Sequence, residues 1–160
     1  MSQLRERSTH TNARPVPDEA LLSGPSEQRQ ERMPAMLRTV GAIAVLVTGA
    51  VHLQQYFGQH FDTVSVIGPL FLLNFAGAMV IGLGLLIPWA RMRALHLLLA
   101  LGGIGLAATS IVFLFVSEHQ PLFGFQEHGY RAGIIVALAA EAVAVVTLAA
   151  YLTLRLRARS

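Results

Sequence analysis

The sequence predicts an all-α polytopic membrane protein: an antiparallel bundle of four transmembrane helices behind a disordered N-terminal tail. Three observations carry that prediction. Of the 160 residues, 54% are hydrophobic and 13% are charged, against roughly 25% charged in soluble domains. Four apolar runs follow one another, each near the roughly 20 residues that cross about 30 Å of hydrocarbon as a helix. The twelve basic residues are all arginine, and nine of them gather near the ends of those runs, the other three lying in the tail.

Residues 1–34 hold Pro15, Pro17, Pro25 and Pro34, few apolar side chains, and five arginines balanced by five acids. Such a segment buries too little surface to offset its ordering entropy. It reads as a disordered tail with a short helix near Asp18 to Leu22, and not as a signal peptide, because the apolar run starts late and three more follow it. The membrane domain is expected over 35–154, with spans at about 39–57, 64–87, 94–116 and 132–152, and a basic tail at 155–160. Short connections make successive helices antiparallel neighbours. Pro69 falls in the first turn or two of the second span, where a proline costs little. Pro88 and Trp89 close that span at a depth suited to tryptophan.

Arg29, Arg32 and Arg38 precede the first span, Arg91 and Arg93 fill the second loop, and Arg155, Arg157 and Arg159 follow the fourth. The first loop has no arginine and the third has only Arg131. The positive-inside rule then places both termini and the middle loop in the cytoplasm. An all-arginine basic set with no lysine, beside many Ala and Gly residues, suggests a GC-rich bacterial genome, so the expected location is a bacterial cytoplasmic membrane. Arginines placed this way serve topology and anionic lipid rather than nucleic acid. The lipid bilayer is one expected partner; other membrane subunits, or a second copy, are the other.

There is no cysteine, which excludes disulfides, thiolate metal sites and cysteine nucleophiles. No internal repeat of 20 to 50 residues is visible. Ala78 and Gly82, Gly103 and Ala107, and Gly133, Ala137, Ala140 and Ala144 stand at the spacing that lets membrane helices approach closely.

Polar residues inside the spans are few, and depth sorts them. From its middle onward the first span carries Thr48, His52, Gln55, Tyr56 and Gln59 on one stripe. At about 1.5 Å rise per residue, Thr48, Asn74 and Glu141 come out roughly 14 Å below the outer ends of their spans, and His52 and Ser110 roughly 8 Å below. These five residues are expected to line a polar pocket opening outward. Glu141, the only acid within a span, must be protonated, paired or in contact with water. His52 is open to three roles: metal ligand, proton carrier, or packing residue bonded to a backbone carbonyl. Asn74 also suits a plain helix-to-helix hydrogen bond.

The outer loops add His60, Asp62, Glu118, His119, Glu127 and His128. Their chemistry admits a divalent metal, although no spacing among them matches a defined metal motif. Between the last two pairs lies PLFGF, whose Phe123 and Phe125 are expected to dip into the interface or to form a lid. A bis-histidine intramembrane haem is not expected, since His52 and His96 fall close to 30 Å apart in depth, by the same rise. No other cofactor is called for, and no Ser-His-Asp order, phosphate loop or HExxH motif points to an enzyme.

At HLQQY (His52 to Tyr56), IGPLFLLN (Ile67 to Asn74) and LFGFQE (Leu122 to Glu127) the chain resembles a group of small, uncharacterised four-span bacterial membrane proteins. The resemblance covers the spans and not the tail, and it implies no activity. The general architecture also looks like that of DoxX-type membrane proteins, with no motif of theirs matched residue by residue. Three functions are open from these residues. The first is an accessory or structural component of a membrane complex, using small-residue faces and the interfacial loop for contacts. The second is an outward-facing binding or transport site for a proton, metal ion or small polar solute, built on Glu141 and His52. The third is a quinone-linked membrane oxidoreductase.

Overall fold

The computed structural model describes residues 25–88, 92–124, 126, 129 and 131–158. Four helices account for most of them: α1 (Pro25–Gly58), α2 (Ile67–Leu86), α3 (Arg93–His119) and α4 (Ala132–Arg157), with a 3-10 turn at Phe61–Thr63. All four are long and apolar enough to cross a membrane. The bundle predicted from the apolar runs is therefore present.

Helix bounds differ from the apolar runs in an orderly way. A helix satisfies its own backbone wherever it lies, so nothing obliges it to stop where the apolar residues stop. Thus α3 continues three residues beyond the expected Val116, to His119, and α4 continues past Leu152 to Arg157. Likewise α1 begins at Pro25, taking in 25–34 that composition assigns to the tail. Proline at a first helical position forfeits only an N–H that has no partner there anyway. The expected helix near Asp18 to Leu22, and the rest of 1–24, lie outside the described residues, as do Trp89 and the tail end 159–160.

Around the bundle, α1 packs extensively on both α2 and α4, α3 packs on α4 and more sparsely on α2, and α1 and α3 barely meet. The seams follow a heptad. Along α4 the buried positions are Ile134, Ala137, Glu141, Ala144, Leu148 and Tyr151, in steps of three and four. Along α3 they are His96, Ala100, Gly103, Ala107 and Ser117. This is the spacing of helices crossing at a shallow left-handed angle, knobs into holes. Glycine supplies the holes: a Cβ on Gly41 or on Gly103 would come within 2.5 Å or 2.7 Å of the Leu148 side chain. Residues facing away from the bundle are lipid-compatible, Val80, Leu98 and Val146 among them.

The two ends of the bundle differ. At one, which carries the α2–α3 connection, Arg38 of α1 donates from Nη1 to His96 Nε2 of α3 over 2.7 Å; in the other tautomer the same nitrogen donates to the Ile87 carbonyl at 3.0 Å. The opposite end carries the α1–α2 and α3–α4 connections, and is called the loop end below. There Gln59 accepts from Arg131, linking the two connections. His60 takes a left-handed conformation (φ 58°) that turns the chain into Phe61–Thr63. Phe61 is buried beneath that turn. Gly68 has no alternative, because a Cβ there would stand 2.6 Å from the Phe61 carbonyl oxygen.

Candidate functional site

A cavity of about 350 Å³ occupies the loop-end half of the bundle. All four helices line it: α1 with His52 and Gln55, α2 with Leu70, Phe71 and Asn74, α3 with Ser110, Phe113 and Ser117, and α4 with Ile134, Ala137 and Glu141. Phe61, Ile67 and Leu122 also line it, at the end nearest the connections.

Its polar part is a row that crosses three helices. Asn74 of α2 donates from Nδ2 to Ser110 Oγ of α3 over 2.6 Å. The Glu141 carboxyl on α4 lies beside the Ser110 hydroxyl in the same cavity wall. Asn74, Ser110 and Glu141 thus stand in a row across α2, α3 and α4. The carboxyl is held at a seam position of the bundle, where a leucine or alanine would otherwise sit, and its residue is 2% exposed. Asn74 Oδ1 is buried without a partner. One hydrogen-bond acceptor of the row is thus unsatisfied by the protein itself.

The Asn74–Ser110 bond is a membrane interhelical hydrogen bond, of a kind worth on average about 0.6 and at most about 1.7 kcal/mol. Asn74→Ala is therefore expected to lower bundle stability by roughly 1 kcal/mol, measured by SDS titration of the protein in mixed micelles. A loss above about 3 kcal/mol would mean that Asn74 holds more than Ser110.

The five residues grouped by depth are regrouped by contact. Asn74, Ser110 and Glu141 form the row, and His52 joins them in the same cavity. Thr48 does not: it is fully buried, stands outside the cavity lining, and its hydroxyl has no partner. Ser110 was placed a turn nearer the surface than Asn74 because α3 outruns its apolar stretch by three residues, while α2 starts three residues later than Val64. Counted from the observed ends, both lie roughly 10–14 Å down.

His52 donates from Nδ1 to the Thr48 carbonyl at 2.9 Å, one turn back on its own helix. Its ring lies against Phe71, with centroids 5.0 Å apart. This is the backbone-bonded arrangement among the three roles open to it, and it leaves Nε2 carrying the lone pair.

The loop residues are dispersed. His119 donates from Nδ1 to the Phe115 carbonyl at 2.7 Å, and the His60 carbonyl accepts from the Thr63 hydroxyl. Glu118 is half-buried. Among the described residues no three of His, Asp and Glu come together as a metal-holding group. Glu127, His128 and Phe125 lie outside the described residues, and so does the side chain of Asp62. Phe123 is 57% exposed at φ 52°, and its neighbour Leu122 lines the cavity.

Composition and depth miss the aromatic wall, Phe61, Phe71 and Phe113, and also Gln55 and Ser117. Phe71 and Asn74 do stand three apart, one face of a helix, and that spacing is the only signal that could have joined them. Set against known protein families, curated proteins and solved structures, the chain finds no match in any of the three, so the site is read from its own chemistry.

Proposed function

We propose that this protein is a multi-pass protein of the bacterial cytoplasmic membrane with both ends inside, and that it binds a small ligand in the outer half of its bundle. The arginine distribution supports the orientation. The observation that supports binding is the row Asn74–Ser110–Glu141, with Asn74 bonded to Ser110, along a mostly apolar cavity of about 350 Å³. Concave, mostly apolar sites with a few convergent polar groups are the usual form of small-molecule sites. A carboxyl that served only to hold helices together would need no adjoining space.

An accessory role in a larger complex draws its sequence support from the small-residue faces and the interfacial loop around Phe123. Gly41, Gly49, Gly82 and Gly103 each meet a neighbouring helix of this same chain. Those faces are used within the bundle, which leaves the binding reading better supported.

Native mass spectrometry of the protein purified in mild detergent tests it. Wild type should carry a small-molecule adduct that Glu141→Gln and His52→Ala lose, with little change in thermal stability. Equal adduct occupancy in all three proteins would refute the binding role.

A further inference from the structure

Two features of the cavity bear on what it would hold and how the ligand would reach it. The first is the side on which it opens. Helices α2 and α3 meet closely in the half away from the loop end: a Cβ on Gly84 would stand 2.8 Å from Leu99, one on Gly102 3.4 Å from Ile81, and one on Gly77 3.0 Å from Leu106. Beyond the Asn74–Ser110 bond that packing ceases. Leu73 and Phe113 both line the cavity, yet they are 67% and 39% exposed. On the other side of that bond Gly105, two turns from Phe113 on the same exposed strip of α3, also lines the cavity, and a Cβ added there would meet nothing within 4 Å. Toward the loop end, by contrast, the lining residues Phe61 and Ile67 are buried. The opening therefore faces the hydrocarbon between α2 and α3, at a depth where water is scarce.

The second feature is the sign of the unfilled hydrogen-bonding capacity. Asn74 Oδ1 is a buried acceptor with no donor. His52, with Nδ1–H given to the Thr48 carbonyl, offers Nε2 as an acceptor. Asn74 Oδ1 and His52 Nε2 are thus acceptors that want donors, and a buried acceptor left unpaired is destabilising. Beside these groups stand the ring of Phe71, itself 4.7 Å from that of Phe61, and the ring of Phe113. Flat apolar walls of this kind favour a ring in offset or edge contact.

We propose, resting on the binding role above, that the cavity takes a lipid-soluble ring compound bearing hydroxyl donors, of the phenol or quinol class, directly from the bilayer through the gap between α2 and α3. The hydroxyls donate to the acceptors Asn74 Oδ1 and His52 Nε2, the ring lies among the phenylalanines, and the apolar tail leaves past Leu73 and Phe113 into lipid. No electron transfer is part of the proposal.

The test uses the full chain in lipid nanodiscs with decyl-benzoquinol, kept reduced, as probe. Binding is read as protection of Glu141 from modification by dicyclohexylcarbodiimide, a lipid-soluble carboxyl reagent. Saturable protection is expected for wild type and for Gly105→Ala. It should need at least tenfold more probe in Gly105→Phe, whose side chain enters the open space beside Gly105 on the cavity's exposed side. The dimethyl ether of the probe has the same shape and no donors, and it should also bind at least tenfold more weakly.

If Gly105→Phe binds the quinol as wild type does, access through the gap is wrong. If the dimethyl ether binds as well as the quinol, the donor requirement is wrong. If the quinol gives no protection while Glu141→Gln still loses its native adduct, the ligand class is wrong and the site stands. Absence of both protection and any adduct difference overturns the two proposals together.

Discussion

Leu148→Ala should lower the stability of the bundle by about 1–3 kcal/mol, by an argument that differs from the one for a soluble core. In water-soluble proteins a buried Leu→Ala change costs about 2.7–5.0 kcal/mol, the sum of a transfer term and a cavity term. Three lost methylene equivalents at about 0.8 kcal/mol each account for much of that sum. Separated helices in a bilayer leave their leucines in hydrocarbon, so the transfer term nearly vanishes and the cavity term remains. That term is close to its maximum here. Leu148 is fully buried and fits between Gly41 of α1 and Gly103 of α3, so both helices would have to move to close the void.

SDS titration in mixed micelles measures the loss. The same geometry makes a second expectation: Gly103→Ala, which clashes with Leu148 Cδ1 in wild type, should cost less in the Leu148→Ala background, because its methyl enters the vacated space. Additive effects of the two changes would mean that Leu148 and Gly103 do not share that space. The void lies among seam residues away from the cavity lining, so carbodiimide modification of Glu141 should be unaffected.

The fold was legible in the sequence because a bilayer leaves a backbone so few choices. Helices crossing hydrocarbon must be long, and charge must stay at their ends, so length and arginine placement suffice. Glu141 is legible for the same reason: an acid within AALAAEAVAVV must be protonated, paired or wet in lipid, as an interhelical bond or as part of a site. The cavity's apolar wall was not. In a soluble helix the buried face is set apart from the wet face by hydropathy, whereas lipid is as apolar as the core, so Phe71 facing a cavity and Val80 facing lipid look alike in sequence. Even the heptad along α4 is visible only after burial is known, since Ala, Val and Leu fill both faces. Depth failed at Ser110 for a further reason. It was counted from the ends of apolar runs, and those ends miss the ends of α2 and α3 by three residues each, in directions that add. That shift separated two residues that share a hydrogen bond.

Thr48 was also assigned to the pocket, and its actual place leads to the opposite kind of expectation. It lies fully buried where α1 meets the bundle, next to Gly49, on which a Cβ would stand 2.6 Å from that of Ala78. Its backbone carbonyl accepts from His52, but its hydroxyl has no partner. A lone threonine helix in lipid can bond its hydroxyl to its own carbonyl one turn back. The packed bundle gives that bond up and receives nothing in exchange. Burying a hydroxyl without a partner costs about 1–3 kcal/mol.

Thr48→Val keeps the branched shape and removes the polar atom. It should therefore stabilise the bundle by roughly 1–2 kcal/mol, read as a shift of the SDS midpoint to higher detergent. His52 should keep its carbonyl partner, since the bond runs to the Thr48 backbone. Ligand binding in the cavity should be unchanged, because Thr48 is not among the lining residues. Destabilisation by Thr48→Val would show that the hydroxyl has a partner in the membrane, such as a bound water. Loss of binding would return Thr48 to the site by way of His52.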